Sequence, residues 1–172
     1  VQKERLPRLA RSWVSSAPFP ALVVSAEEVL CTNQSSSCLP VLRCACEKAK
    51  TGLPCKTSCL LETLYRQHGT RKWFLRVMDD TLVNAFNLLR MLSKYNSSDA
   101  LYIGDMEDVE HYGFQVASGG CGWILSRPAL ELTRVNINAF ESIARSGTDG
   151  MIRGHTINRF EDDYLWGLFM AR

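Results

Sequence analysis

Two adjacent carboxylates, Asp79 and Asp80, close the apolar run WFLRVMDD that begins at Trp73, and a stretch with helical spacing, TLVNAFNLL, follows them. Like charges side by side repel each other, and burial neutralises one of them unless a cation compensates. A divalent ion carrying a diphosphate is one such cation. Mg or Mn prefers hard oxygen ligands, commonly takes one or two protein carboxylates, and fills its remaining positions with phosphate and water. The same two residues serve equally well as a solvated turn, with Asp80 or Thr81 capping the next helix.

A second group is ASGGCGW, residues 117–123, where Gly119, Gly120 and Gly122 allow the backbone to approach a flat ligand closely. Glycine turns also join strands with no ligand present, and neither the dinucleotide nor the P-loop fingerprint occurs in the chain. The third group is RFEDDYLWG, in which Glu161, Asp162 and Asp163 crowd the start of a helix. Crowding raises carboxylate pKa values, which suits a general base, and a helix N-terminus partly offsets this by favouring the charged form. Capping of that helix by Glu161 or Asp162 is the purely structural use of the same residues.

These groups need elements to position them. Residues 2–16 place Leu6, Leu9, Ala10, Trp13 and Val14 at helical spacing, with an early interruption at Pro7. FPALVVSAEE reads as a short strand followed by acids, and CLLETLYRQHG, residues 59–69, as a helix with a glycine stop. It leads into the strand that ends at the acidic pair. Residues 84–95 read as a helix with a stripe of Leu88, Leu89, Met91, Leu92 and Tyr95, and ALYIGD reads as a strand ending in an acid. FQVASGGCGWILSRPAL predicts two extended pieces around a glycine turn, then a helix with Pro128 in its first turn. EDDYLWGLFMAR predicts a closing helix. Helices alternating with short apolar strands indicate an α/β fold around a mixed, mostly parallel sheet, in which ligands sit beyond the carboxyl ends of the strands.

The chain has 172 residues and 46% hydrophobic content, enough for one domain with one core. Twenty basic and eighteen acidic side chains give a formal charge of +2 with no long run of either sign, which argues against nucleic acid as a partner. The longest apolar runs fall well short of the ~20 residues of a spanning helix. Any membrane attachment is therefore expected through a segment outside this chain. Six of the seven cysteines, Cys31, Cys38, Cys44, Cys46, Cys55 and Cys59, lie between positions 31 and 59. Their spacings lack the paired ligands of a zinc site, so disulfides stapling a loop are expected. Two glycosylation triplets, at Asn33 and Asn96, are consistent with an oxidising secretory compartment.

Taken together, in this order, the three groups resemble the fringe-like glycosyltransferases, which include the fringe β-1,3-N-acetylglucosaminyltransferases and the core 1 β-1,3-galactosyltransferases. WFLRVMDDTLV resembles the family's strand ending in an acidic run. ASGGCGWILS is similar to its SGGAG turn, EDDYLWG to its acid-acid segment with a glycine four residues on, and RLPRLARSWVS to its first helix. The resemblance is good over residues 5–25 and 57–170 and poor across the cysteine-rich insert, 31–59. It implies a GT-A-like nucleotide-sugar fold and an inverting, Mn-dependent β-1,3-hexosyltransferase. Such an enzyme passes GlcNAc or galactose from a UDP-sugar to a glycan or glycoprotein acceptor, in the Golgi lumen as a type II membrane protein or after secretion. Carried over by position, Asp80 is the Mn ligand, Asp79 lies alongside the sugar nucleotide, Gly119 and Gly120 approach a sugar, and Asp163 is the general base. Trp123, in an apolar strand, is expected in the core.

The pattern breaks at Met78, which stands where the family has its first acid, because a thioether is a poor ligand for a hard cation. This leaves open a second expectation: a carbohydrate- or protein-binding domain on the same fold with weak or no turnover. The resemblance also implies that residues 1–172 are a single domain lacking the family's leading strand and the C-terminal segment whose His completes the metal site. His111 and His155 do not occupy that position and are read as surface or structural residues. Cys121 replaces the family's usual Ala, as a free thiol or as a partner for the insert.

Overall fold

A computed structural model describes residues 2–26, 39–48, 52–109, 114–138, 140, 150–152, 155–157, 166 and 170. The described chain begins with α1 (Gln2–Ala10), α2 (Trp13–Ser16), β1 (Val23–Ser25), β2 (Val41–Arg43) and α3 (Leu53–His68). Next come β3 (Trp73–Arg76), α4 (Ala85–Leu92), β4 (Tyr102–Gly104), β5 (Met106–Val109) and β6 (Phe114–Ala117). It continues with β7 (Trp123–Ser126), α5 (Arg127–Val135), β8 (Gly150–Ile152) and β9 (His155–Ile157).

The α/β class holds, but the expected mostly parallel sheet does not. The central sheet has the order β3-β7-β4, and β7 runs antiparallel to both neighbours. β3 and β4 therefore point the same way, joined by a crossover through α4, and they leave between them a slot that β7 enters from the opposite direction after the glycine turn. Among the described residues, β1 with β2 is the one directly bonded parallel pair; β5 with β6 and β8 with β9 are antiparallel. Strand direction depends on how the connections return, which apolar periodicity does not encode.

β7 is buried along its whole length, as a central strand that opens with three apolar residues and ends in a hydrogen-bonded serine can be. Trp123 and Leu125 from β7, Phe74 from β3, Leu61 from α3 and Leu130 from α5 meet in one core with Phe140 and Trp166. α3 packs against α5. Ser126 is fully buried and fully used: its hydroxyl donates to Asp99 O (2.6 Å) and accepts from the amides of Leu101 (2.9 Å) and Ala129 (3.4 Å). One side chain thus ties the start of β4 to the cap of α5, with Pro128 in the first turn as expected.

Three elements differ from expectation. α1 continues through Pro7, and the break comes at Arg11–Ser12, where the Ser12 hydroxyl takes the Leu9 carbonyl (2.7 Å) and Arg11 Nε takes that of Pro7 (3.1 Å). Side chains that capture the last carbonyls stop the helix. α3 starts six residues earlier than read, with Pro54 in its first turn, and β2 lies inside what reads as a loop. Of the closing helix, Trp166 and Met170 are described, and both are helical.

The insert's expected disulfides are present where it is described. Cys44 bonds Cys59 and Cys46 bonds Cys55, which fastens the segment after β2 to the first two turns of α3. Cys31 and Cys38 lie outside the described residues. Cys121 is free and exposed.

Candidate functional site

β3 delivers the acidic pair. After Arg76 the chain turns, with the amide of Thr81 donating to Met78 O (3.3 Å), so Asp79 and Asp80 form the tip of a turn beyond the strand's carboxyl end. Neither caps α4. That role falls to Asn84, whose side chain accepts from the amide of Asn87 (3.0 Å), because the helix starts at Ala85.

The repulsion between the two carboxylates is met by a cation from the far end of the sequence. Arg5 Nη1 on α1 lies 3.3 Å from Asp79 Oδ1 and 3.3 Å from Asp80 Oδ2. One guanidinium nitrogen thus bridges both acids. With Asp80 64% exposed and Arg5 45% exposed, solvent screens the contact, and it contributes about 1 kcal/mol or less. Its significance is position rather than stability.

Two further hydrogen bonds fix the turn. The Trp13 indole donates to Thr81 O (3.0 Å) from α2, and the Thr81 hydroxyl donates to Gly120 O (2.9 Å) in the glycine turn. The first and second sequence groups are therefore in direct contact although 39 positions apart. Arg5, Arg8, Trp13, Asp79, Asp80 and Leu82 help to line an open groove of about 310 Å³. Its charge is balanced, two guanidiniums against two carboxylates.

The glycines divide by role. Gly122 has φ +87° and a Cβ there would lie 2.5 Å from Arg76 O, so this glycine serves the approach of β7 to β3. At Gly120 a Cβ would meet nothing within 4 Å, leaving open space beside the turn. Gly119 is buried. Cys121, in the same turn, places Sγ 3.6 Å from Asp105 Oδ2, at the end of β4. Trp123 is in the core as expected, 1% exposed and stacked on Trp166 with ring centroids 5.2 Å apart. Asp163, Glu161 and Asp162 lie outside the described residues, as does His111. His155 is on β9, paired with Ile152.

Sequence reasoning missed Arg5 and the indole of Trp13. The arginines at 5 and 8 share a helix face, which is a visible signal, but nothing local names partners 74 and 75 positions away.

A scan of family models matches the Fringe-like family over residues 1–172. The chain belongs to the Fringe-like family. Its similarity to individual members is distant: it is 24% identical to a mouse (Mus musculus) β-1,3-glucosyltransferase over 88% of this chain and 29% of that protein. The radical fringe β-1,3-N-acetylglucosaminyltransferase of Notophthalmus viridescens is 27% identical over 73% of the chain and 35% of that protein. Human (Homo sapiens) lunatic fringe is 26% identical over 73% of the chain and 36% of its own length. This Fringe-like chain thus spans about a third of the length of these curated relatives.

The donor set can be judged for the ion that such a family implies. Two adjacent carboxylates supply hard oxygens of the kind Mg and Mn accept when phosphates and water complete the shell. Met78 adds nothing hard. No group of three or more His, Cys, Asp or Glu suited to a metal occurs among the described residues. Asp79 and Asp80 therefore fit an ion that arrives with a diphosphate, not a site complete in itself. No helix of the described residues is long and apolar enough to cross a membrane.

Proposed function

We propose that this Fringe-like chain is the donor-binding part of an inverting β-1,3-hexosyltransferase that moves GlcNAc or galactose from a UDP-sugar to a glycan or glycoprotein acceptor. The observation that carries the reading is the Thr81–Gly120 hydrogen bond, which brings the acidic turn and the glycine turn to one place at the carboxyl end of β3. The family membership and the relatives' transferase names support it.

In this reading Asp80 holds a Mn ion with Asp79 beside the sugar nucleotide. The ion, when bound, offsets the charge that builds on the departing diphosphate. Gly120 offers open space for a sugar, with the buried Gly119 next to it in the turn. Asp163 takes the proton from the acceptor hydroxyl as that oxygen forms a bond to the anomeric carbon and the bond to UDP breaks. Attack from the face opposite the leaving group inverts the centre. The disulfides suit a lumenal setting in the Golgi or outside the cell, with any anchor in another segment.

The test is UDP release from UDP-GlcNAc and UDP-galactose by the whole protein with and without Mn. Release that needs Mn and is abolished by Asp163→Ala is the expected result; release insensitive to both overturns the reading. Met78 favours a second reading, a sugar-binding domain with little turnover. It predicts stabilisation by UDP-sugar against heating, since a ligand of the native state raises apparent stability, with no UDP formed.

A further inference from the structure

Arg5 occupies the space between Asp79 and Asp80 that a shared cation would need, with one nitrogen 3.3 Å from an oxygen of each. Both carboxylates cannot give the same oxygens to a guanidinium and to a divalent ion, and a guanidinium within a few ångströms of the ion repels it. We infer that Arg5 is the resident counter-ion of the acidic pair, so that the Arg5 bridge and a bound divalent cation exclude each other and Arg5 sets the metal affinity of the turn. This rests on the reading of Asp79 and Asp80 as the ion-binding end of a donor site.

Three observations shape the consequence. The bridge is exposed enough to break cheaply, with Arg5 and Asp80 at 45% and 64%. The turn itself is held independently by Trp13 and by Gly120, so releasing Arg5 leaves the carboxylates in place. Met78 removes the nearest further ligand that would let an ion outcompete the guanidinium. Arg8 lines the same groove without bridging the pair, which supplies a control of equal charge.

The experiment measures Mn binding directly, by the loss of the free-ion electron paramagnetic resonance signal, on the whole protein without nucleotide. Arg5→Gln is expected to bind Mn about three- to fivefold tighter than the parent at low ionic strength, Arg5→Lys close to the parent, and Arg8→Gln within about 1.5-fold of it. Adding Asp80→Asn to Arg5→Gln removes the gain. Equal or weaker Mn binding by Arg5→Gln overturns the inference, as does an equal gain from Arg8→Gln. A second measurement needs no variant: saturating Mn is expected to speed amide hydrogen exchange in α1, and unchanged or slower exchange counts against the exclusion. The outcomes separate from those of the transferase reading. Tighter Mn binding with no UDP release overturns the transferase and leaves the counter-ion standing, whereas Mn-dependent release with unaltered affinity does the reverse.

Discussion

The hydroxyl of Thr81 donates to the carbonyl oxygen of Gly120 across 2.9 Å, so the turn after β3 is tied directly to the turn before β7. β7 is hydrogen-bonded to β3, but that ladder ends at Arg76 and Trp123. Beyond it, the threonine continues the coupling out to the groove. Thr81→Val, which keeps the shape and removes the donor, is expected to cost about 1 kcal/mol, a fall of roughly 2–4 °C in melting temperature. If the chain turns over a UDP-sugar as proposed, the KM of this variant is expected to rise more than its kcat falls, with Thr81→Ser restoring both. A valine variant with parental melting and parental KM would show that the two turns are held together by other contacts.

The glycine turn yields a paired prediction because its members have different surroundings. Gly122→Ala places a methyl 2.5 Å from Arg76 O at a φ of +87°, and strain of this kind costs about 1–3 kcal/mol before any clash is relieved. Gly120→Ala meets open space and is expected to stay within ~0.5 kcal/mol of the parent in denaturant titration. If that space receives a sugar, the same alanine weakens UDP-sugar binding while stability holds. Equal losses of stability in the two variants contradict the division of roles.

Much of this arrangement is legible in the sequence, and the unread parts share a cause. β3, α4, β4, β7 and α5 follow from local signals, namely apolar runs, helical spacing and Pro128, whereas the caps Asn84 and Ser126 emerge from the structure and the first replaces the expected Asp80 or Thr81. The early start of α3 was also signalled, since Cys55 and Cys59 are one helical turn apart and Pro54 is a common first-turn residue. Long-range pairings are different. β2 is three residues, too short for a period, and finds its place through β1 across the insert. The antiparallel insertion of β7 and the reach of Arg5 to Asp79 and Asp80 depend on the path of the whole chain. For the site, it is the family resemblance and not spacing that groups Asp79, Asp80 and Gly120; the structure sets their two turns side by side, and no local signal shows that a cation from α1 lies against the acids.

The break at Met78 can be repaired. Met78→Asp adds a hard oxygen ligand next to the pair, and it also adds a negative charge that Arg5 does not bridge. The variant is expected to bind Mn roughly tenfold tighter than the parent, with a small loss of stability in the absence of metal from the added repulsion. Calorimetric titration with Mn, paired with melting curves with and without the ion, measures both signs. No gain in affinity would mean that the side chain at position 78 does not face the ion.

The insert's staples close short loops, separated by 15 residues for Cys44–Cys59 and 9 for Cys46–Cys55. Chain-entropy reasoning gives about 3 kcal/mol for the former and slightly less for the latter. Cys44 is only 2% exposed, so its replacement also disturbs packing. Cys46→Ala with Cys55→Ala is therefore the milder pair and Cys44→Ala with Cys59→Ala the more damaging. Midpoints in urea rank them, and the reverse order would mean that neither the longer loop nor the burial of Cys44 sets the cost.

Among the residues of the third sequence group, Trp166 is the one described. Trp166 is 1% exposed, stacked on Trp123 at an interplanar angle of 13° and edge-on to Phe140 with centroids 5.3 Å apart. Trp123 opens β7 directly after the glycine turn, so the stack joins Trp166, three positions after Asp163 in sequence, to the strand beside the groove. Removing the ring in Trp166→Ala empties a core position and is expected to cost about 3–5 kcal/mol. Trp166→Phe keeps an aromatic face and most of the stability, but loosens the stack. If Asp163 is the base, Trp166→Phe lowers kcat while the stabilisation of the protein by UDP-sugar is unchanged, since the proposed donor contacts are on the other two turns. A phenylalanine variant that loses donor stabilisation and kcat in proportion would instead make Trp166 a support for the whole groove, and would remove the reason to assign Asp163 a separate step.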